Sequence, residues 1–133
     1  MEPIYKSEEV EESNYWNWNG FKIFWSVRGK ENKDPIILLH GFGASSKHWR
    51  NNSYYFAKKG FSVYSIDLIG FGNSAQPGIK EIGELDNGVW CKQLGDFIKQ
   101  VIRPKTSKKI ILIGNSLGSL VALTCAVYLK NEI

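Results

Sequence analysis

Three short segments of the chain are typical of β-strands in the interior of a sheet: residues 36–39, 61–66 and 110–113. Residues 36–39 form a continuous apolar run, as expected of a parallel strand that is covered on both faces. A helical pattern follows each segment, with Ser45 or Ser46 as the cap of the first helix and Asp86 as the cap of the second. Strands that alternate with helices predict an α/β fold with a doubly wound, mostly parallel sheet.

Aromatic residues near the start of the chain predict an antiparallel hairpin at one edge of this sheet. Asn19 and Gly20 separate two aromatic-rich runs, and both residue types accept the positive φ angles of a two-residue hairpin turn. Residues 21–28 alternate with a period of two, which indicates a strand with one buried face.

The charge distribution divides the chain into two parts. Five glutamates and one lysine lie within residues 1–12, so we expect an acidic, flexible leader over residues 1–14 and one domain over residues 15–133. A hydrophobic content of 43% fits a globular core. The 17 lysines and arginines are scattered, which indicates a solvated surface and no nucleic-acid partner.

The two cysteines, Cys91 and Cys125, are far apart and form no CxxC motif, so neither a disulfide framework nor a zinc site is expected. No cofactor or other metal is expected either. The first residues lack the apolar core of a signal peptide, and the longest apolar run, residues 120–129, is too short to span a bilayer. We therefore expect a soluble, cytoplasmic protein in a reducing compartment.

The motif that carries chemistry is Gly-Asn-Ser-Leu-Gly at residues 114–118, between a predicted strand and a predicted helix. Such a turn lifts the hydroxyl group of Ser116 above the sheet and holds its backbone in a strained conformation. The positions two residues away must lack a Cβ atom, and Gly114 and Gly118 satisfy this requirement. The pattern predicts Ser116 as a nucleophile.

A second glycine-rich turn, His40-Gly41-Phe42-Gly43, directly follows the strand at residues 36–39. Gly41 and Gly43 allow the backbone to approach a substrate closely. In a site of this kind, the backbone N–H groups of Phe42 and Leu117 would converge as an oxyanion hole. The alternative interpretation is a glycine-rich turn without chemistry.

The segments HGFGASSKHWR, VYSIDLIGFGNS and IILIGNSLGS resemble the N-terminal half of an α/β-hydrolase. They are most similar to the cyanobacterial and plastid branch that includes pheophytinase-like esterases. The resemblance extends from about residue 16 to the end of the chain. It implies a partial α/β-hydrolase fold and an esterase-like serine hydrolase that acts on a small ester-like molecule. The implied roles are Ser116 as nucleophile, Phe42 and Leu117 as oxyanion-hole amides, and His40 and Asp67 as structural supports.

The length of the chain departs from the family pattern. Family members supply the catalytic acid and histidine after the nucleophile, but the seventeen residues after Ser116 contain no Asp or His, only Glu132 near the end. We expect a truncated chain without cap and C-terminal strands, with little or no turnover alone. The strand at residues 110–113 would then be an exposed apolar edge, which would favour a complementing C-terminal half or self-association.

Two alternatives to an enzyme remain. The chain could be a non-catalytic remnant or a split-gene half that acts through a partner. It could also be a dinucleotide-binding domain, because residues 41–46 nearly read G-x-G-x-x-G and Asp67 ends the next strand, where a ribose-binding acid would lie. Ser46 stands in place of the third glycine, which disfavours this second alternative. His48 is expected to pack or to lie on the surface.

Overall fold

Five strands form one mixed sheet in the order β1-β2-β4-β3-β5. The computed structural model describes residues 10–29 and 33–130. β1 pairs with β2, and β2 with β4, in antiparallel fashion, whereas β4, β3 and β5 are parallel. The predicted α/β class and the antiparallel N-terminal hairpin are therefore confirmed. The strands are β1 (Glu12–Trp18), β2 (Phe21–Arg28), β3 (Pro35–Leu39), β4 (Ser62–Ile66) and β5 (Ile111–Gly114).

The helices begin at the caps that the sequence indicates. The Ser45 hydroxyl accepts a hydrogen bond from the N–H of Lys47, and the Asp86 carboxylate accepts one from the N–H of Val89. A short helix in the loop after β4 was not predicted. In chain order there are a 3₁₀ turn (Ser46–Trp49) that runs into α1 (Arg50–Lys58), then α2 (Ile79–Ile82), α3 (Asn87–Phe97) with a π-helical turn (Ile98–Ile102), and α4 (Leu117–Tyr128).

Alternate residues of the central strand β3 face two separate cores. Ile36 and Leu38 pack with Trp49 and Ala57 on the face that α1 covers. Ile37 and Leu39 point to the other face, where α3 and α4 close a larger core. The continuous apolar run of β3 is thus explained by helices on both faces of the sheet.

The N-terminal hairpin corrects one predicted boundary. Asn19 and Gly20 have φ angles of 52° and 87°, as the two-residue turn requires. β1 begins at Glu12, and the Glu11 carboxylate lies 3.0 Å from the guanidinium group of Arg28 on β2. The predicted leader of residues 1–14 therefore extends too far, because residues 12–14 pair with β2. Residues 1–9 lie outside the described residues.

Within the described part of the chain, β5 is an edge strand and α4 has an exposed apolar face. Ile111 on β5 is 45% exposed, and four apolar residues of α4 are more than half exposed: Leu120, Leu123, Val127 and Tyr128. The expectation of an exposed apolar edge is confirmed. Among the helices of residues 10–29 and 33–130, none is long and apolar enough to cross a membrane.

The topology brings two loops together at one end of the sheet. β3 lies between β4 and β5, so the chain reverses its direction of winding at β3. The loop after β3 leads to α1 on one face, and the loop after β5 leads to α4 on the other face. Because parallel strands end at the same edge, the two loops lie at the topological switch point of the sheet, where α/β proteins bind ligands.

Candidate active site

Ser116 occupies a sharp turn between β5 and α4. Its backbone angles are φ 54° and ψ −116°, a conformation that costs a residue with a side chain about 1–3 kcal/mol. Hydrogen bonds on both sides hold the turn: Asn115 N–H donates to the Leu39 carbonyl at 3.1 Å, and Gly118 N–H donates to the Asn115 carbonyl at 3.0 Å. The Ser116 side chain is exposed at the tip of this elbow, where a substrate can reach it.

The two glycines that flank the serine are required by close backbone contacts. A Cβ atom at Gly118 would overlap the Leu39 carbonyl and would lie 2.7 Å from the His40 carbonyl oxygen. A Cβ atom at Gly114 would overlap the backbone of Gly118. The start of α4 therefore packs directly against the ends of β3 and β5, and this contact fixes the height of the serine above the sheet.

Ser119 stabilises the turn through a hydrogen bond that the motif did not predict. Its hydroxyl group donates a hydrogen bond of 2.7 Å to the carbonyl oxygen of Gly114, the last residue of β5. The first turn of α4 is thereby tied to the strand that precedes the elbow. This hydrogen bond depends on the geometry of the turn, which the sequence motif alone does not specify.

The turn after β3 lies against the elbow. A Cβ atom at Gly41 would come within 3.3 Å of the Asn115 carbonyl oxygen and 3.4 Å of Ser116 Cβ. Next to Gly41, the N–H group of Phe42 donates to no acceptor within the described residues, and neither does that of Leu117. Leu117 is the first residue of α4, where the helix dipole adds partial positive charge. Two unpaired backbone donors are thus present, one in the residue after Gly41 and one in the residue after Ser116.

Both ring nitrogens of His40 form hydrogen bonds with the backbone. Its Nε2 atom accepts a hydrogen bond of 3.0 Å from the N–H of Leu68, so the ring proton resides on Nδ1, which lies 2.8 Å from the Gly41 carbonyl oxygen and donates to it. The ring is fully buried, and burial lowers the pKa of His40 below its ordinary 6.5. Because neither nitrogen is free, His40 orients Gly41 and is unsuited to accept a proton from Ser116.

Asp67 holds the loop after β4. Its two carboxylate oxygens accept hydrogen bonds from the N–H groups of Ser46, at 2.7 Å, and Asn73, at 2.8 Å. A Cβ atom at Gly72 would overlap the same carboxylate. Asp67 is 1% exposed and joins the start of the first helix to this loop. Asp67 is therefore not available to bind ribose hydroxyl groups, which was its expected role in the dinucleotide-binding interpretation.

Gln93 on α3 supports the same loop and was missed from the sequence. Its Oε1 atom accepts a hydrogen bond of 3.0 Å from the N–H of Ile69, and its Nε2 group donates to the Asp67 carbonyl at 3.2 Å. The side chain is fully buried. A polar residue within the apolar stripe of α3, between Trp90 and Phe97, was the signal that could have identified it.

The rings of Phe42 and Phe71 form an apolar surface next to the turn that contains Ser116. Phe42 is 78% exposed, and its ring stands edge-on to that of Phe71, with 5.3 Å between ring centroids. Phe71 also contacts His40 and Trp90, at 5.5 and 5.9 Å. The geometry favours an apolar group next to the serine.

The Ser116 hydroxyl group has no hydrogen-bond partner among the described residues. Residues 117–130 contain no Asp, Glu or His. His48, the other histidine of the chain, is exposed and its ring lies against Trp49. Its predicted place, packed or on the surface, agrees with this position. Within residues 10–29 and 33–130, neither histidine therefore forms a hydrogen bond with Ser116.

Comparison with known proteins identifies the family. Residues 34–133 match the sequence profile of the alpha/beta hydrolase fold. The chain belongs to the alpha/beta hydrolase family. It is 31% identical over 125 residues to a 2-hydroxy-6-oxo-6-(2'-aminophenyl)hexa-2,4-dienoic acid hydrolase of Metapseudomonas resinovorans, a match that covers 92% of this chain and 40% of the relative. The family expectation drawn from the three motifs is thus confirmed.

Other similar proteins are also matched over most of this chain but over less than half of their own length. A pimeloyl-[acyl-carrier protein] methyl ester esterase of Aliivibrio fischeri is 30% identical over 105 residues, which are 79% of this chain and 35% of the esterase. The solved thioesterase domain from the curacin biosynthetic pathway superposes with a TM-score of 0.81 at 21% identity, over 93% of this chain and 42% of that domain. The chain thus spans about 40% of the length of the proteins it matches.

Proposed function

We propose that this chain carries the nucleophile and the oxyanion hole of a serine hydrolase that acts on ester-like bonds. One observation carries the proposal: an exposed Ser116 at φ 54° and ψ −116°, flanked by the unpaired N–H groups of Phe42 and Leu117. The relatives named as an esterase and as a hydrolase support this class of reaction.

The reaction follows from the chemistry of the positioned groups. Ser116 Oγ attacks the acyl carbon of the substrate and loses its proton to a base. The carbonyl oxygen becomes an oxyanion that accepts hydrogen bonds from Phe42 and Leu117. Collapse of the tetrahedral intermediate expels the alcohol or thiol, which takes up the proton, and leaves an acyl group on Ser116. A water molecule then releases the acid by the same steps in reverse order.

The described residues place no base in hydrogen-bond contact with Ser116. Both nitrogens of His40 are hydrogen-bonded to the backbone, and residues 117–130 offer no acid or imidazole. We infer that the triad histidine and acid come from a segment that this sequence does not contain. Without them, Ser116 is a weak nucleophile, and turnover by these 133 residues is expected to be several orders of magnitude below that of a complete enzyme.

We infer an apolar acyl group for the substrate. The exposed Phe42 ring and its neighbour Phe71 line one side of the elbow, and such surfaces bind hydrocarbon groups through burial of apolar area. A small carboxylic ester or thioester with an apolar acyl chain fits this surface and the two oxyanion donors.

A second candidate is a partner-dependent role in which this chain is a split-gene half or a non-catalytic remnant. The exposed apolar residues of α4 and the β5 edge favour it, because surfaces of this kind are usually covered by another segment. A downstream reading frame that encodes an Asp followed by a His, and whose product co-purifies with this chain, would favour a complementing half. A frame without them would favour a remnant.

The proposed nucleophile is tested by a fluorophosphonate probe on the purified 133-residue chain. Prolonged incubation should give slow labelling, and peptide mapping should locate the adduct on Ser116. The Ser116→Ala variant should lose it. The Ser107→Ala variant is the matched control, because Ser107 is also exposed but lies before β5 instead of after it. Labelling confined to other serines would contradict the assignment of Ser116, whereas rapid labelling would contradict the missing base.

A further inference from the structure

Cys91 on α3 and Cys125 on α4 lie side by side, although 34 residues separate them in the sequence. Their Sγ atoms are 2.6 Å apart, and the Cys125 thiol also donates to the Cys91 carbonyl oxygen at 3.2 Å. Both are free thiols in the structure. The spacing in the sequence predicted no disulfide framework, and it gave no sign that the two thiols meet. They meet because the crossover from α3 through β5 to α4 returns the chain to the same face of the sheet.

The packing of two parallel helices holds the pair in place. One turn before Cys91, the side-chain amide of Asn87 donates to the Thr124 hydroxyl at 2.7 Å. One turn after it, Gly95 presents only backbone, and a Cβ atom there would lie 3.9 Å from the nearest atom of Leu129. The two thiols thus lie in the middle of the contact between α3 and α4, with the Asn87–Thr124 hydrogen bond on one side and the Gly95–Leu129 contact on the other.

Access to the two sulfur atoms is unequal. Cys125 is fully buried, whereas Cys91 is partly exposed and lines a cavity of about 700 Å³ between α3 and the end of α4. Three cationic side chains and one carboxylate also line this cavity: Lys92, Lys99, Arg103 and Asp96. An anionic reagent that enters the cavity meets Cys91 first.

We propose that Cys91 and Cys125 form a reversible redox site that a low-molecular-weight disulfide, such as oxidised glutathione, converts to an intramolecular disulfide. The Cys91 thiolate attacks one sulfur of the reagent, breaks its S–S bond and releases one glutathione thiol. The Cys125 thiolate then attacks Cys91 Sγ, breaks the mixed disulfide and releases the second glutathione. Two protein thiols are oxidised, one glutathione disulfide is reduced to two thiols, and the protons of the protein thiols pass to the departing thiolates.

The second step is the slower one in this geometry. Burial, followed by the hydrogen bond with Cys91, raises the pKa of Cys125 well above its ordinary value, so little thiolate is present near neutral pH. The rate of ring closure should therefore rise with pH. A disulfide at this position would join α3, which carries Gln93, to α4, which begins beside Ser116.

The test is the equilibrium between dithiol and disulfide in glutathione redox buffers, read by mass spectrometry of the alkylated full chain. The product of the disulfide-to-dithiol ratio and [GSH]²/[GSSG] is the effective concentration of the thiol pair. We expect this value to be at least about tenfold higher in native buffer than in concentrated urea, because the fold holds the thiols together. Equal values in both solvents, or a product that carries glutathione on both cysteines, would overturn the proposal.

Two single variants test the roles of the cysteines. Cys125→Ser should retain one glutathione on Cys91, because the mixed disulfide cannot be resolved. Cys91→Ser should remain unmodified in native buffer, because Cys125 is buried. The opposite pattern would overturn the order of attack, and the wild-type equilibrium tests the proposal even if a variant folds poorly.

Discussion

The backbone N–H of Leu68 donates a hydrogen bond of 3.0 Å to Nε2 of His40, across the gap between the ends of β3 and β4. This bond exists only while Nε2 is unprotonated. It ties the loop that carries the proposed oxyanion donor Phe42 to the loop that Asp67 and Gln93 support.

The state of His40 predicts how stability depends on pH. Burial lowers its pKa in the folded protein, so the unfolded chain binds more protons below the ordinary pKa of 6.5. The contribution of His40 to the free energy of unfolding should therefore be lost as pH decreases through the ordinary pKa of 6.5. Urea titrations above and below this pH provide the measurement.

His40→Gln is the control for that titration, since its amide oxygen can accept the Leu68 hydrogen bond and does not titrate. We expect a smaller pH slope in this variant, whatever its absolute stability. An unchanged slope would assign the acid sensitivity to other groups.

The contact of Gly118 with β3 predicts a large cost for a single methyl group. Gly118→Ala should destabilise the chain by about 3 kcal/mol, because the new Cβ atom overlaps the carbonyl of Leu39, which cannot move without disrupting β3. Gly95→Ala is the matched control within a helix, where the nearest atom to the new Cβ is 3.9 Å away. That variant should be neutral or gain up to about 1 kcal/mol. Thermal unfolding of both variants checks the pair, and similar changes in the two would contradict the close contact.

The strained backbone of Ser116 predicts that glycine is the more stable replacement. Ser116→Gly should be about 1 kcal/mol more stable than Ser116→Ala, because glycine adopts φ 54° and ψ −116° without a Cβ penalty. Neither variant has the hydroxyl, so the difference isolates the backbone. Denaturant unfolding measures this difference in the free energy of unfolding. An alanine variant of equal or greater stability would contradict backbone strain at residue 116.

The buried amide of Gln93 predicts a cost when its two hydrogen bonds are removed. Gln93→Leu preserves the approximate volume but leaves the Ile69 N–H and the Asp67 carbonyl without these partners, which should cost about 2–3 kcal/mol. Lys92→Leu, at the exposed neighbouring position, should change stability by less than about 0.5 kcal/mol. Equilibrium unfolding in urea compares the two, and equal effects would remove the supporting role of Gln93.

Much of the fold could be predicted because its signals are local. The apolar run of β3, the Asn19-Gly20 turn and the Asp86 cap each lie within a few residues of the structure they specify. The start of β1 was misplaced because residues 12–14 are polar and enter a strand through pairing with β2, which has no signal in their own composition. The short helix α2 follows a proline and a glycine, which read as loop.

The site was predictable to the extent that it is written in contiguous motifs. Gly114, Ser116 and Gly118 specify the elbow, and their close contacts explain the residue types. The partners of Gln93 lie more than 20 residues away along the chain, and those of Cys125 more than 30. Such contacts depend on which helix packs beside which strand, and the local pattern does not specify that. The pheophytinase-like branch suggested by the motifs remains a prediction.

Rescue by an added base tests the proposed role of Ser116 most directly. In the proposed site, Ser116 and its two backbone donors are positioned for catalysis and lack only a proton acceptor. With free imidazole added, the wild-type chain should release p-nitrophenol from p-nitrophenyl acetate at least about tenfold faster than the Ser116→Ala variant does. The variant corrects for the direct reaction of imidazole with the ester. Without imidazole, the two proteins should hydrolyse the ester at nearly the same rate. Acylation of Ser116 that is already fast without imidazole would contradict the missing base. Imidazole acceleration that is identical in Ser116→Ala would contradict Ser116 as the nucleophile.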